Sequence, residues 1–545
     1  MDEDEKRKKP FYLEIVFDFF KKNRKMFLFF IIIIFILYGV QNILFSNLIS
    51  KIYTNANNKK ELKKNLLFLF IVIGILLGLY VLKYYFEMQL IPQFISNIRQ
   101  TLFLKTLNNE NIIQSIELGK YVKNSGDFTE FLKFIFINNF HEIIKLFMIP
   151  FLIFLYLLYD YPKFSILFLL CYILFLYFSL GIFEIISLNK KKEDKYSKLT
   201  EKMHEKIFNL ENIYFNNTLN NEIKKNENDL DNYSIFSKYC YKKQVILFTK
   251  ILIILLISII LLLGYAYKNY SGQDFILLSI LSLLYFNNML SFSNICYQFS
   301  SKLGELLSVN EYFEFIFKKS NTVSNNILKN IHFGKIQIKN MNFTYLTDLS
   351  KNKLFNNLNI NVNPGEKIFI IGKPGCGKTT FMKLLLQFLK PTEGNIYIDN
   401  IPINSISKKE LREKIIYMNQ KTSLFSGTIL ENIQYGNKSS KEQIQKMLKK
   451  YDLENYFGLD LNKSVGNLGN EASLGMQKMI LVLRILLKKN YDTILLDEPT
   501  TSLDQHTKNK VMEMIWKETN GKTVFIVSHD IDFIQTYNAK VIKLC

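Results

Sequence analysis

The sequence predicts two unlike parts joined end to end: an α-helical membrane domain, then an α/β domain built around a phosphate-binding loop. Three observations carry that prediction. Six long apolar stretches fill the first three hundred residues. The glycine-rich run GKPGCGKTT, Gly372 to Thr380, follows a short apolar strand and precedes a helical segment. From about residue 336 onward, short apolar strands alternate with helical segments, as in a doubly wound α/β domain.

The apolar stretches centre on residues 27–45, 66–85, 134–158, 164–183, 245–267 and 275–296. Each can cross a bilayer, which takes about 20 residues of helix, and a soluble core helix rarely stays apolar on every face. The third and fourth are separated by a tight turn (159–163), and the fifth and sixth by the short link 268–274. The links after the second and fourth run to tens of polar residues with helical periodicity. This alternation puts the N-terminus, both long links and everything after the sixth stretch on one side. Lys6, Arg7, Lys8, Lys9, Lys21, Lys22, Arg24 and Lys25 assign that side to the cytosol, by the bias of basic residues toward it. The expected organisation is a cytosolic segment with an interfacial helix (1–25), a membrane domain of six transmembrane helices with long cytosolic extensions (26–318), a linker (319–335) and the α/β domain (336–545).

Smaller features qualify the membrane half. Phe11, Ile15, Phe19 and Phe20 would line one face of a helix lying along the membrane surface. The N-terminus is too charged for a cleavable signal peptide, and Asp2 to Glu5 make a poor transit peptide. Lys83, Glu142, Lys145 and Lys250 sit near the cytosolic ends of spans. Snorkelling or a watery inner mouth explains them with fewer assumptions than a buried charge relay. Asn287, Ser291 and Asn294 recur at helical spacing, either along a translocation path or bonding across helices. The formal net charge of +21 accompanies over-use of Lys, Asn, Ile, Phe and Tyr, all with AT-rich codons. It therefore gives no support to a nucleic-acid partner. The five cysteines are scattered without metal spacing, as reduced thiols in a cytosol-facing protein are.

The α/β half carries the chemistry. The run from Gly372 fits G-x-x-x-x-G-K-[ST] at every fixed position. Gly372, Gly375 and Gly377 let backbone N–H groups turn inward around a phosphate, with Lys373, Pro374, Cys376 and Thr380 completing the loop. The following helix N-terminus adds positive partial charge. Lys378 would reach the terminal phosphates of ATP and Thr379 would offer its hydroxyl to Mg²⁺. The strand Thr493-Ile494-Leu495-Leu496 ends in Asp497 and Glu498. The first would hold Mg²⁺ through water and the second would polarise the attacking water.

With those motifs in order, residues 336–545 resemble the ATPase domain of an ABC transporter. The whole chain is similar to a half-transporter of the B-type exporter family, whose fold is a membrane α-helical domain followed by an α/β P-loop ATPase domain. The resemblance implies that Tyr345 stacks on adenine, and that Gln420 senses the γ-phosphate and contributes to the Mg²⁺ site. It makes Ser502-Leu503-Asp504 the D-loop and His529 the switch histidine. Residues 107–114 and 209–216 would be the coupling helices. It implies export of an amphipathic, lipid, drug or peptide substrate by a dimer of such chains in the bilayer. The alternative is an ATP-regulated, non-transporting subunit, a channel or scaffold.

Two departures qualify the resemblance. The family's LSGGQ falls, without gaps, on Ala472-Ser473-Leu474-Gly475-Met476, where only Ser473 and Gly475 agree. In the family this segment closes over ATP held by the other subunit, so a heterodimer with an intact partner is expected over a homodimer. The chain also stops at Val541 to Cys545, where the family continues through a glycine turn and a helix.

Overall fold

The computed structural model describes residues 10–109, 118–138, 140–317, 333–345, 353–420, 423–458 and 460–544. It divides into two compact units, Met1–Ser320 and Asn321–Cys545.

The first unit is helical. Its elements are α1 (Phe11–Lys22), α2 (Arg24–Gly39), α3 (Phe45–Thr54), α4 (Lys59–Leu107), α5 (Leu118–Lys133), α6 (Phe140–Asp160), α7 (Pro162–Ser179), α8 (Ile182–Phe208), α9 (Leu210–Phe215), α10 (Leu219–Asn269) and α11 (Gly272–Phe317). A π-helical turn, Val40–Leu44, joins α2 to α3 without a break. Among the described residues, five helical stretches are long and apolar enough to cross a membrane: Arg24–Thr54, Lys59–Leu107, Pro162–Phe208, Leu219–Asn269 and Gly272–Ser291. The remaining expected span, 134–158, falls on a π-helical turn and α6, and residue 139 between them lies outside the described residues. The links are tighter than the sequence suggests. Tyr161 alone separates α6 from α7, with Pro162 opening the new helix, where its missing N–H costs nothing.

Large aromatics (Phe94, Phe128, Phe164, Phe168, Phe175 and Phe313) fill the interior of this unit. Close backbone approaches are set by glycine. A Cβ on Gly304 of α11 would lie 2.8 Å from the main-chain nitrogen of Lys190 on α8, which is why those two helices pack so tightly. Helix α1 is amphipathic as expected, but its apolar face is packed into the bundle. Phe11, Ile15, Val16 and Phe19 are buried, whereas Phe20 is only half-buried. Its first turn is held by α11: the Phe11 N–H donates to Glu314 (3.0 Å) and the Tyr12 N–H to Asn310 (3.0 Å). These satisfy two amides that a helix N-terminus leaves unpaired.

One expectation about polar residues needs correction. Lys83 does not reach outward; it is 7% exposed and paired with Glu87, one turn on, at 3.5 Å. Lys145 likewise pairs with Glu142 (3.4 Å), and Lys250 alone of the basic trio is exposed. Asn287 and Ser291 lie on an exposed stripe of α11, while the bond across helices is made by neighbouring Asn288 to Asn42 (3.5 Å). The side chain of Asn294 and residues 110–114 of the first coupling segment lie outside the described residues. The second coupling segment forms α9.

The second unit has two sheets. β1 (Ile336–Phe343), β2 (Phe355–Val362), β4 (Glu393–Ile398) and β5 (Ile401–Pro402) form an antiparallel sheet in the order β2-β1-β4-β5. β6 (Ile415–Met418), β7 (Thr493–Asp497), β8 (Thr523–Val527), β3 (Lys367–Ile371) and β9 (Lys540–Lys543) form a parallel sheet in the order β6-β7-β8-β3-β9. β7 and β8 are buried along their whole length, as central parallel strands must be. The helices are α12 (Lys378–Leu385), α13 (Lys408–Lys414), α14 (Ile429–Gln434), α15 (Lys441–Lys450), α16 (Leu474–Leu486), α17 (Gln505–Glu518) and α18 (Ile531–Tyr537). The helix after β3 starts at Lys378 and stops at Leu385, just before Gln387 turns left-handed (φ 54°).

Candidate ATP site at the strand ends

The parallel sheet brings the C-terminal ends of β3, β7 and β8 side by side, which is where open α/β sheets place their ligands. From β3 the chain enters the loop 372–377. Gly375 (φ 83°) and Gly377 (φ 94°) hold dihedrals that side chains resist. A Cβ on Gly377 would also meet Phe355 at 2.8 Å and Leu354 at 2.9 Å. The Lys378 ammonium is turned into the loop, donating to the carbonyls of Gly372 (2.8 Å) and Lys373 (3.2 Å). Thr379 donates to Asp497 Oδ2 at 2.8 Å, so the two expected Mg²⁺ ligands from β7 and α12 meet directly. Tyr345 and Thr380 share a hydrogen bond between hydroxyls (2.7 Å).

Asp497 is 1% exposed. Burial raises its pKa, opposed first by the Thr379 hydroxyl, while the Glu498 charge adds to the rise. Glu498, the next residue, sits in left-handed backbone (φ 52°), uncommon outside glycine, asparagine and aspartate. Its carboxylate meets side chains from three places in the sequence. Gln420 Nε2 donates to Glu498 Oε2 at 2.9 Å, and Thr501 Oγ1 donates to the same oxygen at 3.2 Å. His529 Nε2 lies 3.5 Å from Glu498 Oε1. Glu498, Gln420 and His529, far apart in sequence, thus form one cluster.

The eroded segment lies at the start of α16. Ser473 is its N-cap, accepting from the Met476 N–H at 3.2 Å. Leu474 is 67% exposed, and Gly475 is buried where a Cβ would meet the Tyr456 hydroxyl at 2.8 Å. Gln477, one position beyond the segment, is turned back: its amide donates to the carbonyls of Gly469 (2.8 Å) and Ala472 (3.0 Å).

Residues the motifs alone do not single out also converge here. Tyr417 donates to Asp497 Oδ2 (3.4 Å) and to Asn419 (3.2 Å). Lys478 reaches the Gln420 carbonyl at 3.1 Å. Tyr417 could have been suspected from its place on the strand leading to Gln420. Lys478, in an apolar helix, gave no signal of its own.

Residues 355–501 match the ABC transporter family. That segment of the chain is an ABC transporter domain. A putative export ATP-binding/permease protein of Rickettsia felis is 29% identical over 357 residues, 64% of this chain and 62% of that protein. The matched region therefore spans somewhat under two thirds of the curated relatives' length. The ABC transporter ATM1 of Plasmodium falciparum is 37% identical over 204 residues, 36% of this chain and 19% of that one. Among solved structures, a bacterial Atm1-family ABC exporter with ATP bound superposes with a TM-score of 0.81 at 16% identity. That superposition covers 96% of this chain and 93% of the other. The chain therefore shares the fold of that protein, a helical membrane-type region followed by a sheet-containing ATPase-type domain.

Proposed function

We propose that this chain is one half of a dimeric, ATP-driven membrane exporter, with six spans and with its N-terminus and ATPase domain in the cytosol. The observation that carries the reading is the cluster of Glu498, Gln420 and His529 beside the Thr379–Asp497 pair. The loop amides and Lys378 would bind the phosphates, and Tyr345 would stack on adenine. Thr379, Asp497 and Gln420 offer the hard oxygen donors that Mg²⁺ takes, and the ion when bound would neutralise phosphate charge. Glu498 would take the proton of the attacking water. His529 and Gln420, both within reach of its carboxylate, would orient it. The linkers at 107–114 and 209–216 would pass closure of the ATPase domains to the spans.

The partner in this reading is a second half-transporter. Ser473 and Gly475 would face its nucleotide, but Leu474 projects where backbone should approach phosphate and Met476 lacks a polar group. A heterodimer in which the other chain brings an intact signature to this P-loop fits best. The exposed Leu474 also favours a second reading, a non-transporting ATP-regulated subunit. Membrane vesicles with this chain facing outward test the choice. ATP-dependent accumulation of an amphipathic cargo, lost in Glu498→Gln, is the exporter result. ATP binding with no accumulation beside any partner would refute it.

A further inference from the structure

Lys478 is the one lysine of α16, and it is 9% exposed. Burying an ammonium is costly unless something compensates. Burial does lower its pKa, opposed by the charges of Glu498 and then Asp497. A methionine of similar length would fill the same space with no such cost. What the ammonium contributes is a hydrogen bond to the Gln420 carbonyl at 3.1 Å. The side chain of that same residue donates to Glu498 Oε2 at 2.9 Å. One cation therefore grips the main chain of the residue that grips the proposed base.

Resting on the ATPase reading above, we propose that Lys478 is a positioning residue. Its ammonium fixes the backbone at Gln420 so that the Gln420 amide stays on Glu498. The same lysine connects two sites. Ser473 caps the helix that carries it, five residues earlier, and in the dimer proposed above that cap would face the partner's nucleotide. A displacement of α16 caused by the partner's ATP is then delivered to Gln420 and Glu498 through a single side chain.

The test compares the full chain, purified from native membranes with whatever partner accompanies it, as wild type, Lys478→Met and Lys478→Arg. Hydrogen exchange in the segment containing Gln420, thermal unfolding and ATP hydrolysis are the readouts. In Lys478→Met, exchange at Gln420 should quicken and kcat fall about tenfold, with KM for ATP within about twofold, since a hydrogen bond to a charged group is lost. Its melting temperature should change little, because the desolvation cost of the buried ammonium goes with the hydrogen bond that is lost. Lys478→Arg should recover most of the exchange protection and most of kcat. Unchanged exchange in Lys478→Met, or equal loss of melting temperature and kcat with no recovery in Lys478→Arg, would overturn the proposal. Exchange needs no nucleotide, so a chain that bound no ATP would refute the ATPase reading while exchange still decided the role of Lys478.

Discussion

Gly377→Ala and Gly375→Ala make a matched pair of perturbations. Both glycines hold left-handed backbone, φ 94° and 83°. An L-residue there costs about 1–2 kcal/mol from crowding of its Cβ against the backbone. At Gly375 nothing else lies within 4 Å of the added carbon. At Gly377 the new methyl lies 2.8 Å from the Phe355 ring and 2.9 Å from Leu354, and overpacking of that kind adds about 1–3 kcal/mol. The expected losses are about 1–2 kcal/mol for Gly375→Ala and about 2–5 kcal/mol for Gly377→Ala. Trp516, the chain's single tryptophan, reports on this unit alone; it stacks on Tyr537 (4.4 Å) and against Phe369 of β3 (6.5 Å). Thermal unfolding followed by its fluorescence without nucleotide should drop by about 2–4 °C per kcal/mol for a unit of this size. Equal shifts for the two variants, or a larger one for Gly375→Ala, would refute the assignment of Gly377 as the crowded position.

Other consequences follow from the same geometry. Glu498→Gln should keep ATP binding and lower hydrolysis by about 10²–10⁴-fold, as loss of a general base does; nucleotide-binding and phosphate-release assays separate the two. Lys83→Met leaves the half-buried Glu87 without its cation, so it should destabilise the helical unit by less than the ~3–5 kcal/mol of a fully buried pair, and Lys83→Met with Glu87→Met should recover most of that. Size-exclusion profiles after heating the detergent-extracted chain would show the order. Replacing Leu474 by glycine and Met476 by glutamine should raise ATP turnover of the assembled dimer, measured by phosphate release, if the eroded segment limits one of its two sites.

The site was legible where chemistry demands fixed residue types in sequence. The loop 372–380, the strand ending in Asp497 and Glu498, and His529 after β8 all lie beside apolar strands that give them away. The parallel sheet then brings those three strand ends together. Convergence through space was less legible. Lys478 and Tyr417 touch the site because of how α16 and β6 pack; only the place of Tyr417 on the strand leading to Gln420 hints at it, and no local pattern marks Lys478. In the membrane half, composition exposed the spans but not their partners. Lys83 looked like a snorkelling cation from its depth in the span alone, although Glu87 four residues on is the carboxylate that a helix brings beside it. Helix α1 looked interfacial because amphipathicity reads the same whether the apolar face meets lipid or the bundle, and Glu314 and Asn310, some three hundred residues on, decide between them.

The central claim is that the ATP held by this chain's glycine loop is completed by a different polypeptide. It is tested most directly by ATP hydrolysis of the chain purified alone beside the complex recovered from native membranes. Turnover should be slow for the chain alone and at least about tenfold faster in the complex, and lost when Glu498 becomes glutamine. Brisk hydrolysis by the chain alone, abolished by the same substitution, would contradict it.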